Sequence, residues 1–388
     1  MRTAKRIKSL PQYLFAELDL KKAEARARGV DVIDFGVGDP DLPTADHIVE
    51  AAAKAVSDPA THRYPSYFGM DEFRNAIASY YKRRFDVELD PNTQVLPLIG
   101  SKEGIAHLAL AFVDPDDVVL VPDPGYPVYE VSTLLAGGRP VPVVLSPEDG
   151  YMPALDEVSP DQAMSAKMIW LNYPNNPTAA TCEPDLFEKA IDFCQNFDLL
   201  LAHDAAYVEI TYDGYRAPSL MQARGGPEVG IEFGSLSKMF NMTGWRVGWA
   251  VGAPTAIEAL GRVKTNLDSG VFNAIQIAAT TALEGPADPV KEVVEVYRRR
   301  RDLLVDGLTG AGLSLKRPKG SIYLWVKTPG EQTSLQFSEF LLEKAGVVVA
   351  PGSGYGRAGE GYVRFSLTID DSRLLEGVDR IVRALAQL

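Results

Sequence analysis

The sequence predicts an α/β fold: a mostly parallel sheet covered on both faces by helices, followed by a smaller α+β unit. Three observations predict it. Short apolar runs of strand length recur as far as residue 251. Helical patterns lie between several of them, an alternation that produces a parallel sheet buried on both sides. Past residue 288 the pattern changes to one long charged helix, three strand-like runs and a closing helix.

The elements follow in order. Residues 71–84 (DEFRNAIASYYKRR) place Phe73, Ile77 and Tyr80 or Tyr81 on one helical face. Residues 94–99 (QVLPLI) read as a strand. Gly100-Ser101-Lys102-Glu103-Gly104 then opens a helix that runs to about Phe112. Further buried strands are expected at 118–121 (VVLV), 168–171 (MIWL), 198–202 (DLLLA), 231–234 (IEFG) and 247–251 (VGWAV), with helices at 184–197 and 255–264. The C-terminal part carries a helix over 288–310, strand-like SIYLWVK, GVVVAPG and YVRFSLT, and a helix over 371–387. The expected division is an N-terminal arm over 1–35 that packs on the small domain or across the site, a large domain over 36–287 and a small domain over 288–388. The second boundary rests on Gly285-Pro286 and Asp288-Pro289.

Composition narrows the function. The chain has 388 residues, with 39 Lys and Arg against 52 Asp and Glu, a net charge of −13. That sign argues against a nucleic-acid role resting on a basic surface. A local basic pocket can still hold an anion. No run reaches 18 apolar residues, so no membrane span is expected. The basic N-terminus (Arg2, Lys5, Arg6, Lys8) has no apolar stretch behind it and does not read as a signal peptide. Two cysteines twelve apart, Cys182 and Cys194, make neither a disulfide framework nor a zinc spacing. The four histidines show no HxxxH pairing, so no metal site is expected. The expected setting is reducing cytoplasm.

Four segments carry chemistry. Gly100-Ser101-Lys102 ends a strand and opens a helix, where free backbone N–H groups can seat a phosphate; ordinary serine capping is the alternative. Asn175-Asn176-Pro177-Thr178 follows a strand and reads, alone, as a turn. Asp204 and Tyr207 follow the strand at 198–202; an acid there is a helix cap or a site residue, while neighbouring His203 points to the other face. Ser235-Leu236-Ser237-Lys238 ends a strand among Phe233, Gly234, Met239, Phe240 and Met242. An amine buried in such surroundings has a lowered pKa and is available as a nucleophile. An amine, a carboxylate, an amide, a phenol and a phosphate seat together form the inventory that pyridoxal phosphate needs.

At this point the chain resembles the class I, fold-type I, pyridoxal-phosphate aminotransferases. SLSKMFNMTGWRVG resembles the family's lysine signature, and NNPT, DAAY and YVRFSLT occur in the family's order. The resemblance implies a mostly parallel seven-stranded sheet in the large domain, pyridoxal 5′-phosphate as cofactor, and a homodimer with shared active sites. It implies that Lys238 carries the cofactor and the proton, and that Asp204 pairs with the ring nitrogen. Asn176 and Tyr207 would hold the 3-oxygen, and Tyr126 would stack on the ring. Ser101, Lys102, Ser235 and Arg246 would hold the phosphate. Arg364 would take the substrate α-carboxylate as a fork, with Gly38 letting the backbone approach it. Tyr64 would reach the partner subunit's phosphate.

Within the family the chain is similar to the prokaryotic LL-diaminopimelate aminotransferases. The segments that carry this are SLPQYLFAELDLKKAEARARGVDVIDFGVGDPDLPT, THRYPSY, LIGSKEGIAHL, VPDPGYPVY, HDAAY, LSKMFNMTGWR and VKTNLDSGVF. The resemblance implies LL-2,6-diaminoheptanedioate as donor and 2-oxoglutarate as acceptor. Aspartate, alanine or aromatic transamination, or a β-lyase on the same fold, is the alternative. Two departures stand out. Relatives usually read NNPTG where this chain has Ala179, and relatives often carry Glu where it has Phe68.

Overall fold

The computed structural model describes residues 1–11 and 14–387. Its strands, in chain order, are β1 (Ile33–Asp34), β2 (Val95–Leu98), β3 (Val118–Asp123), β4 (Arg139–Val144), β5 (Ala166–Asn172), β6 (Leu200–Asp204), β7 (Gly230–Ser235), β8 (Gly248–Gly252), β9 (Tyr323–Lys327), β10 (Val347–Val348), β11 (Ala350–Pro351) and β12 (Tyr362–Ser366). Seven of them form one sheet in the order β2-β8-β7-β6-β5-β3-β4. The five from β4 to β7 pair in parallel, and β8 runs antiparallel to both of its neighbours.

Alternation along β5 shows why the sheet is covered twice. Ile169 and Leu171 point into a core shared with Phe73, Ile77, Phe187 and Leu201. Met168 and Trp170 point into the opposite core, with Leu98, Ile105, Leu108 and Phe233. A strand buried on both faces has no polar side, which is why these runs read as continuously apolar. The helices Asp71–Phe85, Ser101–Phe112, Asp185–Phe197 and Pro254–Leu267 stand where their patterns place them.

Two features differ from the sequence reading. Strand β4 has no apolar run, because Pro140 and Pro142 interrupt it. It lies at the sheet's edge and pairs only with β3, a position in which proline's missing N–H costs little. Strand β6 also runs two residues further than its apolar run, so His203 and Asp204 lie within it.

The C-terminal part forms a second sheet, β11-β12-β9, antiparallel throughout. Helices Asp288–Gly310, Ser334–Ala345 and Asp371–Leu385 share a core with it, including Tyr297, Leu304, Phe337, Phe365 and Ile381. The N-terminal arm meets this part directly. Strand β1 pairs in parallel with β10. The Asp31 carboxylate accepts from Arg373 (2.7 and 2.8 Å) and Arg380 (2.6 Å), which holds its pKa down at about 2. Of the arm expected over 1–35, residues 12 and 13 lie outside the described residues. Among the described residues no helix is long and apolar enough to cross a membrane.

Candidate active site

The ends of β6 and β7, the start of helix Ser101–Phe112 and strand β12 border one cavity of about 410 Å³, lined by Gly38, Ser101, Tyr126, Asp204, Lys238 and Arg364 among others. Carboxyl ends of strands in an open α/β sheet are where such folds bind ligands. Lys238 stands on the helical turn Leu236–Met239 immediately after β7. Its Nζ donates to the Gly38 carbonyl at 2.7 Å. Burial pushes the amine below its ordinary pKa, with Arg364 and Arg246 acting in the same direction against Tyr323 and Asp39.

One end of the cavity suits a phosphate. Gly100 has φ +77°, and a Cβ built there would lie 2.3 Å from Nη2 of Arg246. The glycine therefore both makes the turn and admits the guanidinium. Ser101 begins the helix, whose first N–H groups have no intrahelical partners. The Ser235 hydroxyl caps the next turn by accepting from Ser237 N at 3.2 Å. The Lys102 ammonium lies 5.6 Å from the Tyr126 ring centroid. Burial first, then Arg246, lowers the Lys102 pKa; a dianion seated between the two cations would offset that repulsion.

In the middle, Asp204 is buried at the end of β6. Its Oδ2 accepts from the Tyr129 hydroxyl at 2.9 Å, and its Oδ1 from Ala206 N at 3.3 Å. Burial raises its pKa; the Tyr129 hydrogen bond, His203 and Lys238 oppose that rise. Tyr129 was not legible as a site residue. Its ring stacks on Trp170 (4.9 Å, 17°), a contact made through the fold rather than along the chain. His203 points to the other face. Its Nδ1 pairs with Glu232 Oε2 at 2.8 Å, and Glu232 also accepts from Tyr81, Ser219 and Leu220 N.

The opposite end suits a carboxylate. Arg364, buried on β12, donates from Nη1 to Asn176 Oδ1 (2.8 Å) and from Nη2 to the Gly36 carbonyl (2.7 Å). With its oxygen engaged, the Asn176 amide keeps its NH2 group as a donor, and Asn176 lines the cavity. The Arg364 guanidinium lies 4.0 Å from the Tyr323 ring centroid and 5.0 Å from that of Tyr355. The Tyr207 and Tyr323 hydroxyls are 3.0 Å apart. Tyr323 was also missed; it sits inside SIYLWVK and reads there as one more strand residue. It adds a second demand on Gly38, which lines the cavity. A Cβ at Gly38 would fall 2.1 Å from the Tyr323 hydroxyl, so that phenol also occupies the room the glycine leaves.

Two predicted residues stand apart. Tyr64 is 87% exposed and does not line this chain's own cavity. Phe68 is half exposed and lies over Gly261, where an added Cβ would be 3.0 Å from its ring. A Phe68 that faces the site is not found within one chain. Ala179 adopts φ +57°, so the turn after NNPT does require the left-handed conformation, which glycine would adopt without strain.

The model of the family described as aminotransferase class I and II matches residues 30–381. The chain belongs to this family. It is 54% identical over 385 residues to an LL-diaminopimelate aminotransferase from Desulforudis audaxviator, covering 99% of this chain and 98% of that one. It is 50% identical over 388 residues, all of both chains, to an LL-diaminopimelate aminotransferase from Moorella thermoacetica. Among solved structures, an aminotransferase from Staphylococcus aureus superposes with a TM-score of 0.92 at 36% identity, covering 99% of each chain. These enzymes depend on pyridoxal 5′-phosphate. The cavity fits it: a cradle at Gly100 closed by Arg246, a buried acid at Asp204 and an amine at Lys238 border one cavity, the groups a phosphate, a ring nitrogen and an aldehyde need.

Proposed function

We propose that the chain moves an amino group from LL-2,6-diaminoheptanedioate to 2-oxoglutarate, as the 54% identity along 99% of the chain to an LL-diaminopimelate aminotransferase supports. The bound cofactor supplies an aldehyde for the amino group and a ring that takes up electrons from the α-carbon. The residues have the following roles. Ser101, Lys102, Ser235 and Arg246 hold the phosphate, and Tyr126 lies against the ring. Asp204 keeps the ring nitrogen protonated, since a buried carboxylate needs a cationic or donor partner. Asn176 and Tyr207 donate to the ring's 3-oxygen. Arg364 takes the α-carboxylate and aligns the α-carbon with Lys238. Lys238 Nζ, its pKa lowered by burial, removes the α-proton and returns it to the cofactor side. The Gly38 carbonyl holds that amine in place between transfers.

The reading includes a cytoplasmic homodimer, with the N-terminal arm over 1–35, a large domain over 36–287 and a small domain over 288–388. Exposed Tyr64, Tyr67, Phe68, Leu267 and Phe272 supply apolar surface for a second copy, and Tyr64 would reach the partner's phosphate from there. The test is a first half-reaction. Cofactor-loaded protein mixed with LL-2,6-diaminoheptanedioate, without acceptor, should release one equivalent of 2-oxo acid per site, faster than with aspartate, alanine or phenylalanine. No release with the diamino acid, and release with another donor, would leave the family and remove the substrate. Pyruvate and ammonia from a β-substituted donor would instead mark elimination.

A further inference from the structure

We propose that Tyr323 is a positioning residue which ties the carboxylate-binding Arg364 to the cofactor-facing phenol of Tyr207. The proposal rests on the roles given above to those two residues. Tyr323 opens β9, opposite Ser366 of β12, and is 3% exposed. Three of its surfaces are engaged at once. Its ring carries the Arg364 guanidinium at 4.0 Å from the centroid. Its hydroxyl meets the Tyr207 hydroxyl at 3.0 Å, and its ring meets that of Tyr207 at 5.5 Å and 69°. Its hydroxyl end also fills the space beside Gly38 that any other residue would need, 2.1 Å from the Cβ position. Gly38 in turn holds Lys238 through its carbonyl at 2.7 Å.

Proton bookkeeping gives the pair a direction. A phenol has one proton to donate and lone pairs to accept. Once Tyr207 donates its proton to the ring's 3-oxygen, the bond between the two hydroxyls can only run from Tyr323 to Tyr207. Donation into Tyr207 polarises its O–H and strengthens what it gives the ring oxygen. The ring of Tyr323 acts separately. A guanidinium over an aromatic face in a dry site is held by the ring quadrupole and by packing. That restrains where Arg364 meets a carboxylate, whose two oxygens need both donors of the fork in line. The hydroxyl of Tyr323 thus serves the cofactor and its face serves the substrate.

Two variants separate these roles. In Tyr323→Phe the face stays and the donor goes. The pH midpoint of the bound cofactor's visible absorbance should rise by about half a unit, the scale of one lost cooperative hydrogen bond. The dissociation constant of an unreactive 2-methyl amino acid should stay within about twofold of wild type. In Tyr323→Leu the face goes too, and that dissociation constant should rise roughly tenfold, within the range for a desolvated cation–π contact. A merely structural tyrosine would lower the melting temperature in both variants without this split. An unmoved midpoint in Tyr323→Phe overturns the proposal, and that variant alone decides it if Tyr323→Leu does not fold. Because the wild type reports its own half-reaction in the same assay, failure of the substrate assignment shows there, independently of either variant.

Discussion

At the phosphate end of the cavity, Ser101 and Ser235 stand within a few residues of the ends of β2 and β7, and each is delivered by its strand, as is Lys238 between the two ends. At the carboxylate end, Arg364 and Tyr323 come from two antiparallel strands of the other sheet, and Gly36 and Gly38 come from the segment after β1. The first end is built mainly from strand-to-helix turns, with Arg246 brought beside Gly100 from elsewhere in the chain; the second is built by contact between strands and segments of different sheets. A local end is set by strand-to-helix turns and helix N-termini, which need few distant partners. An assembled end moves whenever the small sheet shifts against the large one, so it is where binding of substrate can be coupled to closure.

The largest break in this comparison is at the residue both ends share. Lys238→Ala should lose turnover by about a thousandfold or more, the range of a lost acid–base group, in steady-state assays with saturating cofactor. Wild-type turnover in the loaded variant would contradict its role. Asp204→Ala comes next. Proton removal should slow by roughly a hundredfold to a thousandfold, as removal of one preorganised electrostatic partner does, while Asp204→Glu keeps far more. Single-turnover rates in deuterated and ordinary donor check this, and equal mild effects from both changes would make Asp204 only a fold residue.

A matched pair of glycines sharpens the contrast. Gly100→Ala puts a methyl 2.3 Å from Arg246 Nη2 at φ +77°. It should weaken cofactor affinity about tenfold, the scale of one charged hydrogen bond, and leave carboxylate affinity nearly unchanged. Gly38→Ala presses on Tyr323 instead and should do the reverse, at a stability cost of about 1–3 kcal/mol for overpacking. Equilibrium dialysis of cofactor and of a 2-methyl amino acid reads both. Loss of both affinities in both variants would mean the two ends are one unit.

The difference also explains what was legible. Lys238, Asp204 and Asn176 follow strand-like runs, and the strand sets where the side chain goes. Tyr129 and Tyr323 carry no such signal, because their roles come from Asp204 and Tyr207, 75 and 116 residues away in sequence. Strand β4 was hidden by Pro140 and Pro142, which an edge permits. At Gly38 the sequence shows that space is needed, but not that the Tyr323 hydroxyl is what lies 2.1 Å from the Cβ position.

The smallest effect is at Ala179, held at φ +57°. Ala179→Gly should relieve about 1 kcal/mol of left-handed strain, partly offset by the entropy of the added glycine, and leave donor preference unchanged. Chemical denaturation checks the first part; a donor panel checks the second.

The most direct test of a site centred on Lys238 is to reduce the cofactor-loaded protein with borohydride, digest it and map the pyridoxyl group. One adduct per chain on the peptide containing Lys238, absent in Lys238→Ala, is the expected result. An adduct on Lys102 or Lys264, or none at all, would contradict it.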